Sequence, residues 1–202
     1  MYPLELKIQP GNWRVFAARK AQRNFDRFAE KIFRRDNHTC QFCGFQAREF
    51  QEVLNLDQNY YNNKLPNMVT ACCFCTQCFF LESVGVSYGG GTLIYLPDIT
   101  QANLNSFCHV LFCAITNDTG YRTTAQSVYR TFKFRSQVVE QQFGEGTSDP
   151  SVFAQLLFDS QQNIGEHKDL LDNLRLLPSR ARFRKHIERW AASALQELSS
   201  DI

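Results

Sequence analysis

Two pairs of cysteines with the same two-residue spacer are the strongest constraint that this sequence sets on its fold. They are Cys40 and Cys43, in Cys-Gln-Phe-Cys-Gly, and Cys72 and Cys75, in Cys-Cys-Phe-Cys. A two-residue spacer lets a tight turn direct both sulfur atoms at one ion, and two such pairs supply the four thiolates of a closed tetrahedral zinc site. We therefore predict one structural zinc ion held by Cys40, Cys43, Cys72 and Cys75.

Two neighbouring cysteines leave this ligand set partly open. Cys73 lies inside the second pair, and Cys78 forms a rival Cys-x-x-Cys with Cys75. Reduced core cysteines without a metal, or a redox sensor built from the crowded thiols, are alternatives for the group. Four protein ligands leave no coordination position for water, so such a zinc site is structural and not catalytic. Metal binding in small zinc modules contributes on the order of 10 kcal/mol to folding.

Composition indicates a globular chain and narrows the classes of function. The 202 residues are 44% hydrophobic and 21% charged, with a formal net charge of +2. The sequence has neither an apolar run of about 20 residues nor a basic segment followed by an apolar one, so we expect no membrane span and no signal peptide. The expected compartment is the cytoplasm, where thiols and metal ligands are favoured over disulfides.

Charge is uneven along the chain. Residues 1–35 carry nine Lys or Arg and three Asp or Glu, residues 36–170 carry seven and thirteen, and residues 171–202 carry six and four. A nucleic-acid-binding domain usually has a pI above about 9, whereas the pI here is about 8.1. We therefore expect no nucleic-acid partner, and patches of both signs that can orient a protein partner.

Hydrophobic periodicity predicts a mostly helical α+β fold. One amphipathic helix is predicted over residues 13–35, with a basic outer face that includes Arg19. Short strands are predicted over residues 52–56 and 92–96, the second after the triglycine turn at 89–91. A helix capped by Asp98 or Thr100 is predicted to run to about Thr116. Further helices are predicted over residues 123–142, 150–158, 166–176 and 179–198.

These predictions divide the chain into three stretches. Residues 1–35 form the N-terminal helix packed on the zinc module, residues 36–85 form that module, and residues 86–202 form a mainly helical region. We expect the three to make one compact unit. The four histidines are far apart in the sequence, and each is predicted to be structural or exposed; they are His38, His109, His167 and His186. Cys108 and Cys113 are predicted to be buried core thiols.

Residues 40–76 resemble the zinc module of HNH endonucleases. In those enzymes a Cys-x-x-Cys pair precedes a strand ending in adjacent histidines, an Asn-rich loop follows, and Asn-Leu-Val leads to a second pair and a final histidine. The matching segments here are Glu52-Val-Leu-Asn-Leu-Asp57 and Asn67-Met-Val-Thr-Ala-Cys72-Cys-Phe-Cys75-Thr76. The resemblance implies an HNH-like, zinc-bound ββα module with a helical C-terminal extension.

The catalytic histidines of that pattern are replaced in this chain. Leu54 and Asn55 stand where the metal-binding and general-base histidines belong, and Thr76 stands at the final one. Leu cannot bind a metal, and Asn cannot take a proton from water near neutral pH, so we expect no enzymatic activity. Asp57 and Glu52 could hold a metal in an altered way. An HNH-like nucleic-acid-binding protein or metal-dependent nuclease is therefore the alternative function.

The whole chain is similar to the IcmJ (DotN) family of the Dot/Icm type IVB secretion system. The segments that carry this similarity are Cys40-Gln-Phe-Cys43-Gly-Phe, Asn67-Met-Val-Thr-Ala-Cys72-Cys-Phe-Cys75, Gly89-Gly-Gly-Thr-Leu-Ile-Tyr-Leu-Pro97 and Cys108-His-Val-Leu-Phe-Cys113. The resemblance implies a non-catalytic adaptor of the coupling complex that supports effector recruitment. Its implied partners are the C-terminal extension of the coupling ATPase DotL, and DotM. It would lie in the cytoplasm and reach the inner membrane only through them.

Overall fold

Helices and two small antiparallel sheets make up the computed structural model, which describes residues 1–159 and 172–200. The helices are α1 Asn12–Lys20, α2 Phe25–Arg35, α3 Cys73–Thr76, α4 Gln101–Thr116, α5 Arg122–Phe134, α6 Ser136–Phe143, α7 Pro150–Asp159 and α8 Arg184–Ser200. The strands are β1 Gln51–Asn55, β2 Met68–Cys72, β3 Gly91–Tyr95 and β4 Leu174–Pro178. Short 3₁₀ turns lie at Leu65–Asn67, Gln77–Phe79 and Leu81–Ser83. The predicted mixture of helices and sheet is confirmed.

The first sheet is a hairpin that is covered on both faces. β1 pairs antiparallel with β2, and all the residues of both strands are buried. Helix α2 covers one face, where Ala29 and Ile32 pack against Val53 and Met68. The other face joins the main core, and α3 follows β2 directly. The predicted strand over 52–56 is thus confirmed within one residue.

The second sheet joins strands that lie far apart in the sequence. β3 pairs antiparallel with β4, with Leu93 opposite Leu176. The side chain of Gln101 holds β4 by accepting from the Leu176 amide at 2.7 Å and donating to its carbonyl at 2.9 Å. The helix predicted over 166–176 is therefore wrong at its end, because residues 174–176 belong to β4. Residues 166–171 of that prediction, His167 among them, lie outside the described residues.

Two other predicted helices are each divided in two. The single helix predicted over 13–35 is α1 and α2, which a turn at residues 21–24 separates. Phe16 of α1 packs into the main core, whereas Ile32 of α2 packs on the hairpin. The helix predicted over 123–142 breaks at Arg135, whose carbonyl accepts a hydrogen bond from the Tyr95 amide of β3 at 3.3 Å. The last helix begins at Arg184 and not at Ser179, because residues 179–183 form a turn.

Helix α4 runs through the centre of the main core. Its N-cap is Thr100, whose hydroxyl accepts from the Asn103 amide at 3.2 Å. The predicted helix that ends at about Thr116 is therefore confirmed, with Thr100 and not Asp98 as its cap. The largest fully buried side chains that the structure describes are aromatic: Phe16, Phe74, Phe80, Phe112 and Phe153. Over residues 1–159 and 172–200, we find no helix with both the length and the apolar character that crossing a membrane requires.

Candidate metal centre

Four cysteine side chains meet inside the core. The Sγ atoms of Cys40, Cys43, Cys72 and Cys75 all lie within 4.8 Å of one another, and those of Cys43 and Cys72 are 3.6 Å apart. All four residues are buried. Thiolates bound at about 2.3 Å to one tetrahedral ion stand about 3.8 Å from each other. The four sulfur atoms therefore have the spacing that a single four-coordinate metal ion needs.

Local backbone geometry places the first pair. The Gly44 amide donates to the Cys40 carbonyl at 3.0 Å, which closes a tight turn around Cys43. Gly44 has a φ of +77°, a conformation that favours glycine, so the chain can reverse directly after the second cysteine. The Gln41 amide donates to the Thr70 carbonyl at 2.8 Å and ties this turn to β2. The first pair is thus fixed to the strand that carries the second.

The second pair lies where β2 ends and α3 begins. Cys72 is the last residue of the strand, and Cys75 lies on the one-turn helix that follows. Cys73 and Cys78 are buried but are not part of the four-sulfur group. The Cys78 thiol instead donates to the Phe74 carbonyl at 3.4 Å, and burial raises its pKa above the ordinary thiol value. Neither neighbour replaces a member of the predicted set in this geometry.

Helix α4, in the second half of the sequence, adds two polar side chains to the site. The Asn105 amide nitrogen Nδ2 donates to Cys75 Sγ at 3.3 Å, and His109 Nε2 lies 3.3 Å from Cys72 Sγ. The two residues are one helical turn apart, so they face the same side of α4. A nitrogen that donates at this distance, as Asn105 Nδ2 does, stabilises thiolate sulfur by a charge-assisted hydrogen bond.

His109 was predicted to be structural or exposed, and it is a buried structural residue whose place beside the cysteines the sequence did not reveal. The imidazole stacks between Phe45, at 3.5 Å between ring centroids, and Phe74, at 4.2 Å. Burial lowers its pKa to about 3, so the ring is neutral at physiological pH. Asn105 was also missed. The available signal was the spacing of four positions between Asn105 and His109, which places two polar side chains on the same side of the helix.

Burial makes negative charge on these sulfur atoms costly. Burial raises the pKa of the Cys72 and Cys75 thiols well above the ordinary value, because a buried thiolate loses its hydration. Hydrogen bonds from the other three thiols outweigh burial at Cys40 and lower its pKa well below the ordinary value. A divalent cation at the centre reverses the effect of burial, since its charge stabilises the deprotonated form. The group is therefore suited to hold a metal ion and poorly suited to hold four thiolates without one.

The three positions where the resemblance to HNH enzymes led us to expect histidines are closed to solvent. Leu54, Asn55 and Thr76 are each 0% exposed. Both ends of the Asn55 amide are occupied: Oδ1 accepts from Arg19 at 2.5 Å, and Nδ2 donates to the carbonyls of Asn59 and Asn62 at 2.8 and 2.9 Å. Asn55 therefore holds the loop after β1 and has no free group to offer a substrate.

Arg19 was predicted on an outward basic face, and the structure places it inside. Its residue exposure is 4%, and its guanidinium also donates to the Val53 carbonyl at 2.7 Å. The carbon Cζ lies 4.8 Å from the centre of the Phe25 ring, within cation–π range. Burial lowers the pKa of Arg19 to about 10, which still leaves it charged at neutral pH. A cation thus sits beside Asn55.

Glu52 and Asp57, the two acidic candidates for an altered metal site, are engaged separately. The buried Glu52 carboxylate accepts from Lys20 Nζ at 2.6 Å. The exposed Asp57 carboxylate accepts from Asn62 at 2.6 Å and Asn67 at 2.8 Å. Among residues 1–159 and 172–200, the four-cysteine set is the cluster of metal-ligating side chains that we find.

Comparison with known proteins gives one close relative and no match to a family model. The type 4 apparatus protein DotN of Legionella pneumophila is 65% identical over 198 residues. The aligned region covers 97% of this chain and 92% of that protein. The two chains are therefore similar over nearly their whole lengths.

Proposed function

Because the chain belongs to the DotN family of type 4 apparatus proteins, we propose that it is a non-catalytic adaptor subunit of a type IVB secretion coupling complex. Its partners are the C-terminal extension of the coupling ATPase DotL, and DotM in the same complex. It works at the cytoplasmic face of the inner membrane, which it reaches through these partners, and it supports effector recruitment. The observation that carries the proposal is the 65% identity along 97% of the chain.

The metal in this proposal is one structural zinc ion. Four thiolates in a closed tetrahedral set favour zinc, and they leave no position for a catalytic water. The residues that hold it are Cys40, Cys43, Cys72 and Cys75, whose sulfur atoms have the required spacing. Bound zinc would cross-link the turn before β1 to the end of β2.

The proposed zinc module is a degenerate HNH-like ββα unit. Its support is the order of β1, β2 and α3, with one cysteine pair before the hairpin and the other at its end. Loss of catalysis is supported by Asn55 and Thr76, which are both fully buried, so a substrate cannot reach them. The buried guanidinium of Arg19 lies against Asn55 and further closes this place.

Co-expression tests the adaptor function. The full chain would be produced with the cytosolic C-terminal segment of a DotL-like ATPase and passed through size-exclusion chromatography, with metal analysis of the peak. We expect a stable complex with about one zinc ion per copy of this chain. A folded, zinc-loaded chain that elutes separately from the ATPase segment would contradict the proposal.

A further inference from the structure

A cleft lined by basic side chains lies between α5 and the turn that leads into α8. Its volume is about 640 Å³. Arg122 and Lys133 line it from α5, and Arg180 and Arg184 line it from the other side. All four side chains are exposed. One acidic residue, Glu188, is among the lining residues.

Charge in this cleft is only partly balanced. Arg122 pairs with Asp118 at 2.8 Å, and Arg184 pairs with Glu188 at 2.7 Å. Both are exposed pairs between residues four positions apart, which contribute little to stability and can be exchanged for another partner. Lys133 and Arg180 form no ion pair within the described parts of the chain. The cleft therefore presents an excess of positive charge.

The position of these cations adds to the imbalance. Arg180 and Arg182 precede α8, and Arg184 opens it, while its first turn contains no acidic residue. The N-terminal end of a helix carries partial positive charge, which disfavours nearby cations and favours anions. This arrangement costs stability in the isolated chain, and an anionic group bound in the cleft would relieve it.

The walls of the cleft are held together before any ligand binds. The Tyr129 hydroxyl of α5 donates to the Pro178 carbonyl at 3.1 Å and accepts from the Arg180 amide at 3.4 Å. Ile115 and Ile187, both buried, form an apolar floor. A preformed site avoids part of the entropy cost of ordering its walls on binding.

We propose that this cleft binds an acidic segment of a partner protein, with carboxylates at Lys133 and Arg180 and an apolar side chain over the floor. The inference deepens the proposed adaptor function, on which it rests, by naming the surface through which a partner is held. A concave site with an apolar floor suits a peptide better than a flat membrane. A nucleic acid would require a longer basic stripe, and the chain carries a net charge of only +2.

Charge reversal in the full, metal-loaded chain tests the inference. The double variant Lys133→Glu with Arg180→Glu removes the two unpaired cations, and Arg23→Glu with Arg27→Glu is the matched control on exposed cations elsewhere. The first probe is a short fluorescent peptide of Glu and Leu, with a Gln-for-Glu peptide as its neutral match. The second is the C-terminal ATPase segment. Amide NMR shifts of the wild type locate the peptide independently of any variant.

We expect the acidic peptide to bind and the neutral one to fail, with binding that weakens as salt rises. The cleft variant should bind about tenfold more weakly and the control within about twofold of wild type. Shifts should concentrate on α5 and residues 179–188. The ATPase segment should likewise bind the wild type and the control more tightly than the cleft variant.

The outcomes separate the two proposals. If the ATPase segment binds the cleft variant and the wild type equally, and the peptide causes no shifts in the cleft, this inference is wrong while the adaptor function stands. If the peptide binds in the cleft but the ATPase segment never associates, the adaptor function is wrong. In a third outcome, the wild type binds phosphatidylglycerol vesicles or duplex DNA but not the peptide, and the cleft variant loses that binding. This result would overturn the inference in favour of another ligand class.

Discussion

His109 Nε2 lies 3.3 Å from Cys72 Sγ, so a helix from the second half of the chain contacts the cysteine group directly. Asn105 makes the same kind of contact with Cys75 from the preceding turn of α4. The aromatic ring of Phe74 then packs on both His109 and Trp190 of α8. The cysteine centre and the helical region therefore share one core, and loss of a bound metal should disturb both.

Replacement of one cysteine should abolish metal binding and folding together. Cys40→Ser removes one of four ligands, and zinc binding in comparable modules is worth on the order of 10 kcal/mol. We expect a chain without metal and without a cooperative thermal transition, measured by metal analysis and circular dichroism. Cys113→Ser, at a half-buried cysteine outside the group, is the control. A folded Cys40→Ser protein with full metal content would show that the ion is not held by this set.

Replacement of His109 by Phe should weaken metal binding without removing a ligand. The ring keeps its place between Phe45 and Phe74 but loses the nitrogen beside Cys72. Loss of such supporting contacts typically lowers metal affinity about 10- to 100-fold. Competition with a chromophoric chelator measures the change. His186→Phe, at a ring that contacts Phe50 and Trp190, is the control. Equal affinities for all three proteins would contradict a role for His109.

Arg19→Met should destabilise the fold although the apolar stem is kept. The substitution leaves Asn55 Oδ1 and the Val53 carbonyl without their buried donor. Because buried acceptors that lose a charged donor are left unsatisfied, we expect the free energy of unfolding to fall by about 2–4 kcal/mol. Chemical denaturation measures it. Arg23→Met, on the exposed surface, should change this value by less than about 0.5 kcal/mol. Similar stabilities of the two variants would mean that the Arg19 contacts are unimportant.

Glu52 should make the stability of the chain depend on pH. Burial raises the pKa of its carboxyl above the ordinary value, and the Lys20 ammonium offsets this only in part. A carboxyl with a raised folded-state pKa favours folding below its unfolded pKa, about 4.3 to 4.5, and loses that contribution as pH rises through the folded pKa. Wild type should therefore lose stability relative to Glu52→Gln as pH rises from about 4.5 to neutral.

The Glu52 comparison uses the difference between two metal-loaded proteins, so effects of pH on the metal centre are common to both. Denaturation midpoints at several pH values give the result. A constant difference between wild type and Glu52→Gln across the range would contradict the raised pKa.

Gly91→Ala should push the second sheet apart. A Cβ at Gly91 would lie 2.7 Å from the Leu177 carbonyl oxygen and 2.7 Å from a methyl carbon of Leu176, both in β4. Overpacking of this kind typically costs about 1–3 kcal/mol. Thermal denaturation measures the loss. Gly120→Ala, where a Cβ would meet nothing within 4 Å, is the matched control. Equal melting temperatures would show that the strands can move apart freely.

Short-range patterns were sufficient for part of this structure. The spacing of Cys40 and Cys43, the strand near residues 52–56, and the helix that starts after Thr100 all depend on residues within one or two turns of each other. Such features follow from local backbone geometry and side-chain alternation. The proposed ligand set follows from this reasoning too, since each pair needs only a tight turn to direct its two sulfur atoms.

The rest depended on which distant segments meet. The sequence by itself determined the two cysteine pairs, the strands near residues 52–56 and 92–96 and the central helix, because their signals are local. Tertiary structure alone decided that Leu174–Pro178 pairs with β3, that Arg19 turns inward to Asn55, and that His109 lies on Cys72. A buried polar residue or a strand residue is stabilised by its partner. When that partner lies tens of residues away in the sequence, the local hydrophobic pattern does not reveal the pairing.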